Sequence, residues 1–170
     1  MKKILLITFI FVITNSLTAQ TSFSDIKKHH SWAWLGLDFS NTKLIGHAAF
    51  SDPEKIVIDY FPKINILVFN EAEKYNVMKA FRMSNFYEED SEDLADDLYF
   101  DKINSNLSTD ELFVDRDYSL EESDILNIVD NYNFDKVKQD IALIFIIESL
   151  DKTGECATMW VTVINTRTKD

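Results

Sequence analysis

The stretch IALIFII at residues 141–147 decides the fold, because it is apolar on both faces and rich in β-branched isoleucine. It is far too short to span a bilayer, which takes about 20 apolar residues. The stretch therefore predicts a strand covered on both sides, in the middle of a sheet. The turn sequence DKTG at 151–154 and the alternating segment ATMWVTVIN at 157–165 predict its partner, so the two form a C-terminal antiparallel hairpin.

Upstream of the hairpin, the sequence predicts another strand and a helix. Residues 31–39, SWAWLGLDF, indicate a strand that runs into turn residues. The capping-box spacing SDPE at 51–54 predicts a helix start, with Pro53 in the first turn. Pro62 is expected to kink or divide this helix. Its apolar stripe is predicted to be Val57, Phe61, Ile64 and Val68.

A second capping-box spacing, SLEE at 119–122, predicts another helix. Its buried side is expected to carry Ile125, Val129 and Tyr132, with Leu126 beside them. Between the two helices, residues 77–83 suggest a strand and residues 94–103 a short helix. Together these elements predict an α/β or α+β sandwich, with a mixed sheet and two to three helices.

The N-terminus has the pattern of an export signal. Lys2 and Lys3 precede an apolar run at 4–13, and Leu17 and Ala19 occupy the −3 and −1 positions before Gln20. Residues 1–19 are therefore expected to be cleaved, leaving residues 20–170 as a single domain in the periplasm or the extracellular space, with no stable transmembrane anchor. The final NTRTKD looks like a turn after a strand, which suggests that the natural chain continues past Asp170 or that this is a truncated product.

The charge balance restricts the partners. The chain has 17 Lys and Arg against 29 Asp and Glu, a net charge of −12, and loss of the two signal-peptide lysines makes it −14. Nucleic acid and anionic lipid surfaces are therefore excluded, while cationic ligands, basic protein patches and divalent metals remain open. Cys156 is the single cysteine, so no intrachain disulfide forms, and we expect it to be buried at a strand start.

Residues 88–101 contain eight acids and no Lys or Arg. Glu88, Asp90, Asp93 and Asp97 are candidate Ca²⁺ ligands, although the central glycine and alternating ligands of an EF-hand are missing. The alternative is a solvated loop or a docking surface for a basic partner. His29 and His30 are expected to lie in a solvated tail, and no other cofactor is predicted.

Asp38 and Glu148 are candidate catalytic residues, because each ends an apolar strand. If the two strands are parallel neighbours, the carboxylates meet at the edge where α/β proteins bind ligands. They could then act as general acid and base in a small secreted hydrolase, with His47 as a further member. The alternative is that strand ends are simply where buried runs meet water.

Motif searches favour no particular chemistry, since phosphate loops, nucleophile elbows, metalloprotease and C-x-x-C motifs are missing. We therefore predict a non-enzymatic binding or accessory module of the cell envelope, with a protein partner there. The hydrolase and a Ca²⁺-binding protein remain the alternatives. Oligomeric state is left open.

Three segments also resemble a family of small exported bacterial proteins that carries no established activity. They are WAWLGLDFSNTKLIG at 32–46, DYFPKINILVFNEAEKY at 59–75 and IFIIESLDKTGECATMWVTVINTRTK at 144–169. The resemblance implies export and a shared core, and it transfers no catalytic residue.

Overall fold

The protein is described by a computed structural model that covers residues 32–46, 48, 50–81, 86–87, 104, 107–115 and 118–169. Its strands are β1 (Trp32–Asp38), β2 (Lys43–Ile45), β3 (Phe86–Tyr87), β4 (Phe113–Val114), β5 (Ile141–Asp151) and β6 (Cys156–Asn165). Its α-helices are α1 (Pro53–Lys55), α2 (Phe61–Asn70), α3 (Val77–Phe81) and α4 (Glu122–Asp130). A π-helical turn (Ile56–Tyr60) joins α1 to α2, and a 3-10 turn (Thr109–Glu111) precedes β4.

The sheet is organised around β5. One edge of β5 pairs antiparallel with β6, from Ile141 opposite Asn165 to Asp151 opposite Cys156. The other edge pairs parallel, first with β1 and then with β2. β3 and β4 add parallel to β1 and β2. The predicted α/β class and mixed sheet are confirmed, and among the described strands every pairing other than that of β5 with β6 is parallel.

Two apolar cores lie on opposite faces of this sheet, and both faces of β5 contribute to them. The α4 face is covered by α4, whose Ile125 and Val129 pack onto Ala142, Ile144 and Ile146. The α2 face is covered by the helical segment at 53–70, whose Val57 and Phe61 pack with Leu143 and Ile147. The prediction that residues 141–147 form a strand covered on both sides is confirmed for six of these seven residues, which are buried.

The helix at 53–70 begins and packs differently from the prediction. Asp52, not Ser51, caps it, because the Asp52 carboxylate accepts a hydrogen bond from the Lys55 N–H. Pro62 lies in the first turn of α2, directly after the π-helical turn, and Tyr60 and Phe61 keep helical backbone angles, so the segment continues through Pro62 and is not divided there. Ile64 is 38% exposed, and the polar Asn65 is buried in its place.

Three other local predictions were also wrong. α4 is capped by Glu121 together with Asp124, two residues beyond the predicted start, and Leu126 is exposed on its outer side. The predicted strand at 77–83 is helical over Val77–Phe81, since the Asn76 side chain accepts from the Lys79 N–H and starts a helix. Cys156 does begin a strand, but β6 leaves it exposed.

Several predictions fall outside the described residues, namely the signal peptide at 1–19, His29, His30, His47, the acidic tract at 88–101 and the predicted helix at 94–103. Within the ranges given above, no helix is long and apolar enough to cross a membrane.

Candidate functional site

A β-bulge in β1 turns Asp38 toward the α4 face. Ala33 and Leu35 pack in the α4-face core, and simple alternation would send Leu37 there as well. The register with β5 instead shifts between Trp34 and Leu37, and Leu37 packs in the α2-face core. Asp38 therefore points to the α4 face, as its bond to Tyr132 shows. Bulges of this kind re-aim side chains next to functional sites.

The bulge depends on a glycine and a buried asparagine. Gly36 has a φ of 88°, a conformation that favours glycine. The Asn65 Oδ1 accepts from the Leu37 N–H at 2.8 Å, and its Nδ2 donates to the Leu37 carbonyl at 2.9 Å. Asn65 thus satisfies both backbone groups that the bulge withdraws from the sheet, which explains why α2 buries a polar residue here.

A second bulge, in β5, places Glu148 on the same face. Ile147 lies opposite Met159 and Ser149 lies opposite Thr158, so Glu148 is the extra residue. Its carboxylate contacts Trp160, which packs against the α4-face core. Both bulges fall in the carboxyl-terminal halves of their strands, so both carboxylates lie on one face at one end of the sheet.

Asp38 is fully buried, with 0% of its surface exposed. Its Oδ1 accepts from the Ser40 N–H at 2.7 Å, and its Oδ2 accepts from the Tyr132 hydroxyl. A buried carboxylate is costly unless it is hydrogen-bonded, and these two bonds offset that cost. They also fix the turn after β1 and the segment after α4 relative to the sheet.

Glu148 ties the segment before α4 to the sheet in the same way. Its Oε1 accepts from the Leu120 N–H at 2.5 Å and from the Trp160 indole Nε1 at 3.3 Å. The Leu120 amide lies in an irregular segment between β4 and α4. The Glu148 carboxylate therefore supplies the acceptor that a helix or a sheet would otherwise provide for this N–H.

Between these anchored segments lies a cleft of about 500 Å³. One wall is a helical stripe at i, i+3, i+4 and i+7, formed by Asp124, Asn127 and Ile128 of α4 and by its C-cap residue Asn131. The remaining lining residues come from the turn after β1 and from the segments flanking α4: Ser40, Asn41, Tyr118, Ser119, Leu120 and Tyr132. Asp38 and Glu148 are not among the lining residues, but each bonds to a residue that is.

The electrostatics of the cleft are negative. Burial, followed by the charges of Asp124 and Glu148, raises the pKa of the Tyr118 hydroxyl above its ordinary value of 10.0. Lys43 is a nearby cation, with its Nζ 5.9 Å from the centre of the Tyr118 ring. That ammonium also donates to the Glu111 carbonyl at 2.6 Å. The lining residues that the structure describes include one carboxylate, that of Asp124, and no Lys or Arg.

The structure thus places the two predicted carboxylates on neighbouring strands. β1 and β5 are parallel neighbours, as the Asp38 and Glu148 hypothesis requires. His47 and the candidate Ca²⁺ ligands Glu88, Asp90, Asp93 and Asp97 lie outside the described residues. Within the described part of the chain, no group of three or more His, Cys, Asp or Glu could hold a metal ion.

Sequence reasoning missed the cleft itself. The available signal was the polar spacing of Asp124, Asn127 and Asn131 along one side of α4, which lies next to the apolar stripe. Ser40 and Tyr118 carried no signal, because only the tertiary fold brings their segments together.

Comparison of the chain with family models, with curated proteins and with solved structures gave no match. The function must therefore be inferred from the site itself.

Proposed function

We propose that the protein is a non-enzymatic binding module, exported to the periplasm or the cell exterior, that holds a small ligand in the cleft beside α4. The observation that carries this proposal is the use of both carboxylates as supports for the cleft walls. Asp38 holds Ser40 and Tyr132, and Glu148 holds Leu120. Crevices at the carboxyl ends of parallel strands are the usual ligand sites of α/β sheets.

The burial of Asp38 favours binding over hydrolysis. A general acid or base must come within hydrogen-bond distance of the group that it protonates or deprotonates. Asp38 has no exposed surface, and each of its oxygens already accepts a bond from the protein. A pair of glycosidase carboxylates must instead flank the bond that breaks. Asp38 is therefore best explained as a positioning residue.

Filling the cleft tests the binding proposal. Asn127 lines the cleft and is exposed, so Asn127→Trp should fill it, whereas exposed Leu126 does not line it and Leu126→Trp is the matched control. We expect a screen of polar fragments by ligand-observed NMR to give binders for the native protein and for Leu126→Trp. Those signals should disappear with Asn127→Trp. Fragments that bind all three proteins equally would refute a ligand site in the cleft.

A hydrolase that uses Asp38 and Glu148 remains the enzymatic alternative, and a measurement of substrate turnover distinguishes it from the binding module. We expect no hydrolysis of chromogenic glycosides or esters by the native protein above that of Asp38→Asn. An activity that Asp38→Asn and Glu148→Gln both abolish, while a fragment still binds in the cleft, would replace binding by catalysis as the function.

A protein partner in the cell envelope is a further proposal, supported by β6. Among the described strands, β6 pairs only with β5, so its outer edge is open. The strand carries no charged side chain, and Met159 and Val161 are 45% and 51% exposed. Open apolar edges of this kind accept an added strand. A photo-crosslinker at Val161 should give a discrete adduct in cells, and one at exposed Ser123 of α4 should not.

Two proposals concern residues outside the described ranges. Export predicts that the protein secreted by a bacterial host begins at Gln20, which N-terminal sequencing would show; a retained Met1 would contradict it. The Ca²⁺ alternative predicts that millimolar Ca²⁺ raises the melting temperature and that EDTA reverses the change. A melting temperature that Ca²⁺ does not move would count against the acidic tract as a metal site.

A further inference from the structure

Several hydrogen-bond donors of the cleft walls are used by the protein itself. The Tyr132 hydroxyl and the Ser40 N–H donate to Asp38, and the Leu120 N–H donates to Glu148. The side-chain amides show the same pattern. Asn41 Nδ2 donates to the Ser40 hydroxyl at 2.9 Å, and Asn131 Nδ2 donates to the Asn127 carbonyl at 2.8 Å.

The same walls also carry acceptor oxygens. Each of the amides of Asn41 and Asn131 uses its Nδ2 as a donor and keeps an Oδ1 that can only accept. Asp124 has two acceptor oxygens, and its Oδ2 takes one bond from the Glu121 N–H at 2.9 Å. A ligand with donors complements these oxygens, and the charge of Asp124, the one charged residue among the described lining residues, favours a cation.

We infer that the cleft selects an organic ammonium group, carried either by a free amine or by a lysine side chain of a partner. An ammonium supplies three donors for these oxygens and a positive charge beside Asp124. This inference rests on the proposed binding function, because it names the ligand of the same cleft.

A sugar fits the cleft less well than an ammonium. Sugar sites add an open aromatic face to their polar groups, but Tyr132 is buried and the Tyr118 ring already has the Lys43 ammonium over it. The contact with Tyr118 shows that this ring accepts an ammonium on its face. A second ammonium, that of Lys169, donates to the Asp130 carbonyl at 2.8 Å, at the carboxyl-terminal end of α4.

The test compares n-butylammonium with its neutral analogue n-butanol, titrated calorimetrically into the native protein. We expect n-butylammonium to bind at least about tenfold more tightly than n-butanol. Asp124→Asn should weaken n-butylammonium about five- to tenfold, since it removes the charge but keeps an oxygen that can accept from Glu121. Glu122→Gln, on the same helix but outside the cleft lining, should leave the affinity within about twofold.

Removal of Lys43 should strengthen the binding of n-butylammonium, whereas removal of the Asp124 charge should weaken it. Lys43→Met deletes the cation beside Tyr118, and we expect n-butylammonium to bind about two- to fivefold more tightly. Melting temperatures of all variants show whether each remains folded. Equal binding of n-butanol and n-butylammonium in the cleft would overturn the ammonium inference and leave the binding function standing, whereas no binding by either probe or by any polar fragment would overturn both.

Two further ligands identify the source of the ammonium. Cadaverine represents a free diamine, and acetyl-Ala-Lys-Ala-amide represents a partner's lysine. Tighter binding of cadaverine supports a free amine, and tighter binding of the peptide supports a protein partner. If Asp124→Asn weakens neither ligand, the ammonium inference is refuted.

Discussion

At their amino-terminal ends, β1 and β5 pair in unbroken parallel register from Trp32 opposite Ile141 to Trp34 opposite Leu143, with apolar side chains on both faces. Farther along, the same two strands carry bulges, with the buried Asp38 on β1 and the half-buried Glu148 on β5, and the buried Asn65 of α2 bonds to the first bulge. The amino-terminal halves of the two strands are stabilised by burial of apolar surface, and such packing tolerates conservative substitutions. The second half depends on a few directional bonds, each of which positions part of the cleft.

This difference matters for function because the polar half could have been filled with apolar side chains at lower electrostatic cost. Asp38 and Glu148 are instead each bonded to segments that border the cleft. The comparison therefore predicts that changes in the carboxyl-terminal halves affect stability and ligand binding together, whereas changes in the amino-terminal halves affect stability alone.

The largest effect is expected from Gly36→Ala. A Cβ at this position would lie 2.8 Å from Asn65 Oδ1 and 2.9 Å from a ring carbon of Phe69, and the φ of 88° adds backbone strain. We expect a loss of about 3 kcal/mol or more in the free energy of unfolding by urea. Gly154→Ala is the comparison, because Gly154 has no positive φ and its Cβ would meet the Asp151 carboxylate in an exposed turn, so its cost should be clearly smaller than that of Gly36→Ala.

Asn65→Leu removes both side-chain partners of Leu37 while keeping a similar volume. The N–H and carbonyl of Leu37 would remain buried without them, so we expect a cost of about 2–4 kcal/mol in urea unfolding. The converse change next to it, Ile64→Asn, alters a side chain that is already partly exposed and should cost less than about 1 kcal/mol. Equal losses in the free energy of unfolding for Asn65→Leu and Ile64→Asn would contradict the role of Asn65 in stabilising the bulge.

Tyr132→Phe deletes one of the two bonds to buried Asp38. We expect a cost of about 1.5–3 kcal/mol, together with weaker binding of n-butylammonium, because the hydroxyl also borders the cleft. Ile144→Val, in the amino-terminal half of β5, should cost about 0.5–1.5 kcal/mol and leave the affinity unchanged. If both variants changed the affinity alike, the two halves would not differ in function.

The smallest effect concerns pH. The pKa of Tyr118 is raised by burial and by Asp124 and Glu148, so the folded protein holds this proton more tightly than the unfolded chain does. The associated stability is complete below about pH 10 and is lost as the pH rises through the folded-state pKa. We expect Tyr118→Phe to flatten the decline in urea stability above about pH 10. Parallel declines in both proteins would contradict this role of Tyr118.

Periodicity identifies the parts of this fold that are stabilised by apolar burial. The runs at 31–39, 141–147 and 157–165 predicted β1, β5 and β6, since side-chain pattern and strand position agree there. The bulges were not predicted, because no local pattern shows which residue is the extra one. The burial of Asn65 in place of Ile64 was not predicted either, because no local pattern shows it. The role of Asn65 is set by the Leu37 backbone, 28 residues away in sequence.

The site was only half predictable. Asp38 ends β1 as predicted and β1 and β5 are parallel neighbours, but the prediction that Glu148 ends its strand was wrong, because β5 continues past the bulge at Glu148 to Asp151. The bonds of the two carboxylates to Tyr132 and Leu120 were not predicted, because these partners come from segments without a periodic pattern. The cleft therefore became visible only with the tertiary structure.

The most direct test of the central claim is a ¹H–¹⁵N correlation spectrum of the native protein, titrated with n-butylammonium. The carboxyl-end cleft predicts that the backbone amides of Ser40, Leu120, Asn127 and Asn131 shift together and reach saturation at one common concentration. Shifts concentrated instead along β6, around Met159 and Val161, would place ligand recognition at the sheet edge and contradict the assignment of the cleft.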